Sequence, residues 1–141
     1  MFKKRYAGVL VKCRDKVLLC KRNNHGSFPG MWSIPCGRME EGEEPMESAK
    51  REFFEETDIP IEDAPLKYID SIPRYTRDGK KMKGIMYVFG LEVENEINPD
   101  LENAKDGEEH TEAAYFNLDE IDPTMCGNEL FKIIEKYFEK N

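Results

Sequence analysis

Apolar positions along this chain recur at two periods. Residues 5–13 (RYAGVLVKC) are rich in β-branched and aromatic side chains, and 16–22 (KVLLCKR) follow after only Arg14 and Asp15. Two short apolar runs joined by two polar residues predict a β-hairpin. Residues 23–30 (NNHGSFPG) have the composition of a loop. Residues 32–35 form a short extended segment leading into Cys36 and Gly37. Residues 67–72 and 83–93 predict two further strands, with 76–81 (TRDGKK) as the turn between them, and 113–116 a short late strand. Helical spacing occurs twice. Within 45–57, Met46, Ala49 and Phe53 stand at i, i+3 and i+7 behind Pro45, which suits a first helical turn, so the three are expected to form a buried stripe. Near the C-terminus, Leu130, Ile133, Ile134, Tyr137 and Phe138 stand at i, i+3, i+4, i+7 and i+8. The polar stretch 94–109 predicts an exposed loop, and 118–121 a helical turn stopped by Pro123.

Strands and helices intermixed in this order predict an α+β fold in which helices cover a sheet. At 141 residues the chain is expected to be one domain, 1–141, with a core of its own. It shows no internal repeat and no linker.

Charge changes the picture because it is unevenly placed. The chain carries −8, but residues 37–59 alone hold nine acids and three bases, a net of −6, which leaves −2 for the other 118 residues. So acidic a surface repels nucleic-acid phosphates, which argues against a duplex-binding role. Cys13, Cys20, Cys36 and Cys126 form no CxxC pair, and His25 and His110 are too far from paired cysteines to suggest zinc. No apolar run approaches the roughly 20 residues that span a bilayer. A reduced, cytoplasmic setting is expected, without membrane attachment.

The acidic run has a specific pattern. Glu52, Glu55 and Glu56 stand at i, i+3 and i+4, which brings side chains together on one helix face. The three like charges repel, and two lie near the helix C-terminus, where the macrodipole disfavours anions. Hard divalent cations such as Mg²⁺ or Mn²⁺ offset both penalties. Three glutamates alone would read as a solvated face. Gly37, Glu43 and Arg51 precede them in the same run.

The spacing is Gly37, five residues, Glu43, seven residues, Arg51-Glu52, apolar Phe53, one residue, Glu55-Glu56, one residue, Asp58 and apolar Ile59. This resembles the Nudix box, in which a second glycine stands where this chain has Asp58. The order of hairpin, loop, Trp32-to-Gly37 approach, box, strands and terminal helix extends the likeness over nearly the whole chain. The resemblance implies the Nudix fold, a mixed sheet sandwiched between helices in an α/β/α arrangement. It implies metal-dependent hydrolysis of the pyrophosphate linkage in a nucleoside diphosphate joined to a further group. ADP-ribose-type, dinucleoside polyphosphate and nucleoside triphosphate substrates all remain open.

By the same resemblance Glu55 and Glu56 are metal ligands, and Glu52 is a ligand or the base that deprotonates water. The Gly37 carbonyl is a further ligand, Arg51 orients a box glutamate, and Glu43 locks the loop to the helix. A late-loop acid, Glu112 or else Glu109, serves as ligand or base. Arg22 and Arg38 are candidates for the substrate phosphates, and Tyr75, Trp32 and Phe28 for stacking on a base, Trp32 being better suited to the core because it lies between a loop and a buried strand. Pro73 and Tyr75 carry substrate hints of the family that conflict. Asp58 is expected at positive φ, which Asp tolerates. Cys36 stands where many relatives have glycine. The alternative function is a nucleotide-binding regulator on the same fold without turnover, and a homodimer, frequent among relatives, is left open.

Overall fold

The computed structural model describes residues 4–26, 28–76 and 78–139. Ser27 of the 23–30 loop and Arg77 of the 76–81 turn lie outside them. Seven strands form one sheet: β1 Lys4–Cys13, β2 Lys16–Arg22, β3 Trp32–Ser33, β4 Cys36–Arg38, β5 Lys67–Tyr75, β6 Met82–Val93 and β7 His110–Asn117. The order is β3-β2-β1-β6-β5, with β4 also paired to β1 and β7 to β2. Only β1 and β6 run parallel, from Lys4 opposite Gly84 to Cys13 opposite Val93, so the sheet is mixed.

Both faces of the sheet are covered. Helix α1, Pro45–Thr57, packs Ala49 and Phe53 onto Val9, Val11 and Leu18. Helix α3, Asn128–Glu139, packs Leu130, Ile133 and Ile134 onto Leu10, Val17 and Leu19. Successive residues of β1 point to opposite faces, and both faces are dry, which is why it reads as a continuous apolar run.

Several expected boundaries shift for physical reasons. The buried face of α1 carries Ser48, Ala49, Glu52, Phe53, Glu56 and Thr57, whereas Met46 is 38% exposed. The stripe is thus partly acidic, and an apolar pattern alone misplaced it. Strand β5 runs on to Tyr75 through Pro73, which an edge strand permits because no partner needs that N–H. Residues 94–109 do not wander in solvent. The Asp100 and Asp106 N–H groups donate to the Thr57 and Glu55 carbonyls at 2.8 and 2.6 Å, capping the end of α1, and Ala104 and Gly107 are buried. Strand β7 is longer than residues 113–116, and Pro123 opens a short helix, α2 Pro123–Cys126, rather than ending one.

Asp58 caps α1 at φ 64°, its N–H donating to the Phe54 carbonyl at 2.8 Å. Left-handed backbone is strained for a residue with a Cβ, and an anion at a helix C-terminus is disfavoured. Asp58→Gly is therefore expected to raise unfolding stability by about 0.5–1 kcal/mol. An unchanged or lower urea midpoint would show that neither strain nor charge operates there.

Candidate active site

Helix α1 presents its acids toward β4. Gly37 lies against Glu52 so closely that any side chain at 37 would overlap the Glu52 carboxylate. Glycine is required there for contact rather than for backbone freedom. Arg51 gathers the acids around it. Its Nε donates to Glu43 Oε2 at 2.7 Å, Nη2 to Glu43 Oε1 at 3.0 Å, and Nη1 to Glu55 Oε1 at 3.1 Å. Nη1 is also 3.5 Å from Glu52 Oε1. Arg51 Nη2 reaches the Arg38 carbonyl at 3.2 Å, and Glu43 Oε1 accepts the Glu40 N–H at 2.7 Å. One guanidinium thereby ties the loop before α1 to its carboxylates. Its hydrogen bonds hold the Glu43 carboxyl far down, at about 2, while Arg51 itself is pushed up, chiefly by Glu43.

The remaining acids are under the opposite stress. Burial, then the charges of Glu55 and Glu109, push Glu52 up to about 7 against the lowering pull of Arg51. Burial, then the charges of Glu109 and Glu52, push Glu56 up to about 10, although the Cys36 backbone N–H and Arg22 favour its anion. Glu109 is raised as well, by burial and then Asp106. Glu52, Glu55 and Asp106 can each place a carboxylate oxygen within 4.8 Å of the others. Hard oxygen donors converging around an uncompensated negative charge fit a hard divalent cation.

Two members of this neighbourhood escaped sequence reasoning. Asp106 reaches it because the 94–109 segment docks on the end of α1. His110 is 5% exposed and places Nε2 3.7 Å from Glu56 Oε1. Burial, then the charge of Arg22, push that imidazole down to about 4, so the contact joins a neutral ring to the carboxyl and is not an ion pair. Its Nδ1 has no hydrogen-bond partner among the described residues. The Glu-His pair at 109–110, just before a strand, was the only available signal for it.

Glu112 is not brought to the cluster. It lies on β7 opposite Lys21, its side chain 59% exposed and 3.7 Å from the Lys21 ammonium. A bulge explains this. Lys21 pairs with Glu112 but Arg22 pairs with His110, so Thr111 is extra and the alternation of side chains is reset between 110 and 112. The bulge turns His110 inward and Glu112 outward.

On the α3 face of the sheet lies a cavity of about 430 Å³ whose walls include none of the clustered acids; Arg22, whose charge acts on Glu56 and Glu109, is the wall residue that links the two. Arg22, Phe28, Trp32, Pro73, Arg74 and Tyr75 are among its walls. Trp32 packs edge-on to Phe116 at 5.0 Å and is also one of the cavity walls. Tyr75 is 42% exposed at the rim, and Arg38 is exposed outside it. Arg74 Nη1 lies 4.0 Å from Cys36 Sγ and 3.7 Å from Met86 Sδ.

A family model described as the NUDIX domain matches residues 2–137. Among solved structures, the fold is similar to that of a MutT protein from Methanosarcina mazei Go1, with TM-score 0.75, 19% identity and cover of 98% of this chain and 94% of that one. A MutT NUDIX hydrolase from Burkholderia pseudomallei gives TM-score 0.77 and 17% identity, covering 96% and 98%. A C. elegans Ap4A hydrolase, solved as a binary complex, gives TM-score 0.69 and 18% identity, covering 97% and 96%. With the box, the fold and a domain match over nearly its full length in agreement, the chain belongs to the Nudix hydrolase family.

Proposed function

We propose that this protein is a pyrophosphohydrolase of nucleoside diphosphates joined to a further group, working with Mg²⁺ or Mn²⁺ held by Glu52, Glu55, Glu56 and Asp106. The observation that carries this reading is the convergence of carboxylate oxygens from Glu52, Glu55 and Asp106 within 4.8 Å, and a cavity walled by aromatics and arginines on the other face of the sheet supports it. When bound, the cation would neutralise pyrophosphate oxygens and acidify a water. Arg22 and Arg74, both on the cavity wall, would bind substrate phosphates, with Arg38 outside it as a further candidate. Phe28, Trp32 and Tyr75 would take the base.

For the proton acceptor, Glu109 is the better candidate than Glu112 or Glu52. Glu52 is committed to Arg51 and to the cluster, and Glu112 faces solvent beside Lys21. Glu109 is exposed, yet its carboxyl is raised by its surroundings and its charge in turn raises Glu52 and Glu56. Its carboxylate would take a proton from water as the water oxygen bonds to phosphorus and the bridging P–O bond breaks. Pro73 and Tyr75 both line the cavity, so neither family hint is favoured over the other.

Two results test this reading. Phosphate and nucleoside monophosphate release with Mg²⁺ is measured on ADP-ribose, dinucleoside polyphosphates and nucleoside triphosphates. Turnover of at least one is expected, and Glu109→Gln should lower kcat about 100-fold or more, while Glu112→Gln changes it less than about twofold. The reverse order would return the role to Glu112. Tight nucleotide binding without any turnover would favour a regulator.

The second result concerns the metal-free protein. Folded Glu56 titrates near 10, against about 4.3 for a free glutamate. Between those values the folded state holds a proton that the unfolded state has released, so stability falls as pH rises through that window. Glu56→Gln abolishes the loss. In EDTA the variant should match wild type near pH 5 and exceed it by at least about 2 kcal/mol at pH 8. A variant less stable than wild type at pH 8 would mean that Glu56 is already compensated.

A further inference from the structure

The acidic cluster has a cationic counterpart that the box does not account for. Strands β5 and β6 pair Arg74 with Gly84 and Tyr75 with Met82, so Lys83 is an extra residue at a bulge. A bulge re-aims a side chain, and here the Lys83 ammonium comes 5.8 Å from the centre of the Tyr6 ring. The Arg74 guanidinium lies 4.8 Å from the same ring. Gly84 makes room, since a side chain there would overlap the Lys4 carbonyl and crowd Tyr6 Cε1 at 3.0 Å. Lys4 pairs with that same Gly84 from the other side.

Two cations on one ring repel each other, and cation–π packing needs only one. The chain has 29 acidic residues, yet among the described residues no carboxylate lies within 4.0 Å of Arg74 or Lys83. The polar neighbours of Arg74 are two sulfur atoms, which are weak acceptors. Lys83 is correspondingly held below its ordinary pKa, by burial and then by the charges of Arg74, Lys4 and Arg22. A guanidinium and an ammonium packed against one ring without a carboxylate suit a phosphate, which offers several acceptors and up to two charges. Arg74 also touches Cys36, the neighbour of Gly37, which backs Glu52. Arg74 shares the cavity wall with Arg22, whose charge acts on both Lys83 and Glu56.

We propose that Arg74 and Lys83, held on Tyr6, form a phosphate-binding site distinct from the carboxylate cluster, which takes a substrate phosphoryl group outside the cleaved anhydride. This rests on the hydrolytic reading above and narrows it toward substrates with additional phosphates. Isothermal titration of EDTA-treated protein with inorganic tripolyphosphate removes the metal-bridged contribution of the carboxylates, and the Lys83 variants separate this site from Arg22 and Arg38. Wild type should bind, Lys83→Gln should weaken binding at least about tenfold, and Lys83→Arg should restore it. Lys80→Gln, at an exposed lysine in the turn before β6, should change it less than about twofold. No binding by wild type, or an equal loss in Lys80→Gln, would overturn the site.

A second arm uses Mg²⁺. Lys83→Gln should raise KM for a dinucleoside tetraphosphate at least about fivefold, with kcat and the KM for ADP-ribose unchanged. An equal effect on both substrates, or on neither, would overturn the assignment to an additional substrate phosphate. If neither these two nor nucleoside triphosphates are hydrolysed the hydrolytic reading fails, and the metal-free titration alone decides the site.

Discussion

The constraint on which this structure depends is the burial of carboxylates at the end of α1 with too little positive charge to match. Glu56 and Glu52 are 2% and 8% exposed, and Glu55 and Asp106 stand beside Glu52. Arg51 compensates part of this, but its best hydrogen bonds go to Glu43. The arginine therefore acts mainly as a clamp that fixes the loop before the helix, and only secondarily as a counter-ion. A helix under selection for stability alone would not hold two near-buried glutamates on its packed face. Their arrangement is intelligible as preparation for a cation, the ligand set being assembled at a cost in stability that metal would offset.

Much of the surrounding architecture follows from that arrangement. Gly37 has no side chain because Glu52 occupies the space one would fill. The 94–109 segment caps α1 through Thr57 and Glu55 and, in doing so, delivers Asp106 and Glu109 to the glutamates. The sheet separates tasks between its faces, with the acidic helix on one and the aromatic cavity on the other. Cations left without carboxylates at Arg74 and Lys83 complement acids that are only partly compensated, Glu52 by Arg51 and Glu56 by Arg22. A metal-bound phosphate chain has the charges to satisfy both.

The sequence made some of this readable and hid the rest for identifiable reasons. The hairpin, both long helices, the box and the positive φ of Asp58 were legible because each depends on contacts within a few residues. The buried side of α1 was misjudged at Met46, since apolar periodicity cannot show that Glu52 and Glu56 take inward positions. Asp106 was hidden because a polar loop reads as solvent-exposed until its backbone is seen bonded to a helix end. The choice between Glu109 and Glu112 turned on one extra residue, Thr111, and a bulge of that kind leaves no local signature. Arg74 and Lys83 were illegible for the same reason, being joined through pairing across three strands.

The central claim is that the α1 carboxylates are a divalent-cation site. It is tested most directly by titrating the metal-free protein with Mn²⁺ and following free Mn²⁺ by electron paramagnetic resonance. The account predicts saturable loss of the free-ion signal by wild type at neutral pH, and an affinity at least about tenfold weaker in Glu52→Gln and in Asp106→Asn. A free-ion signal unaffected by wild type, or quenched equally by both variants, would contradict it.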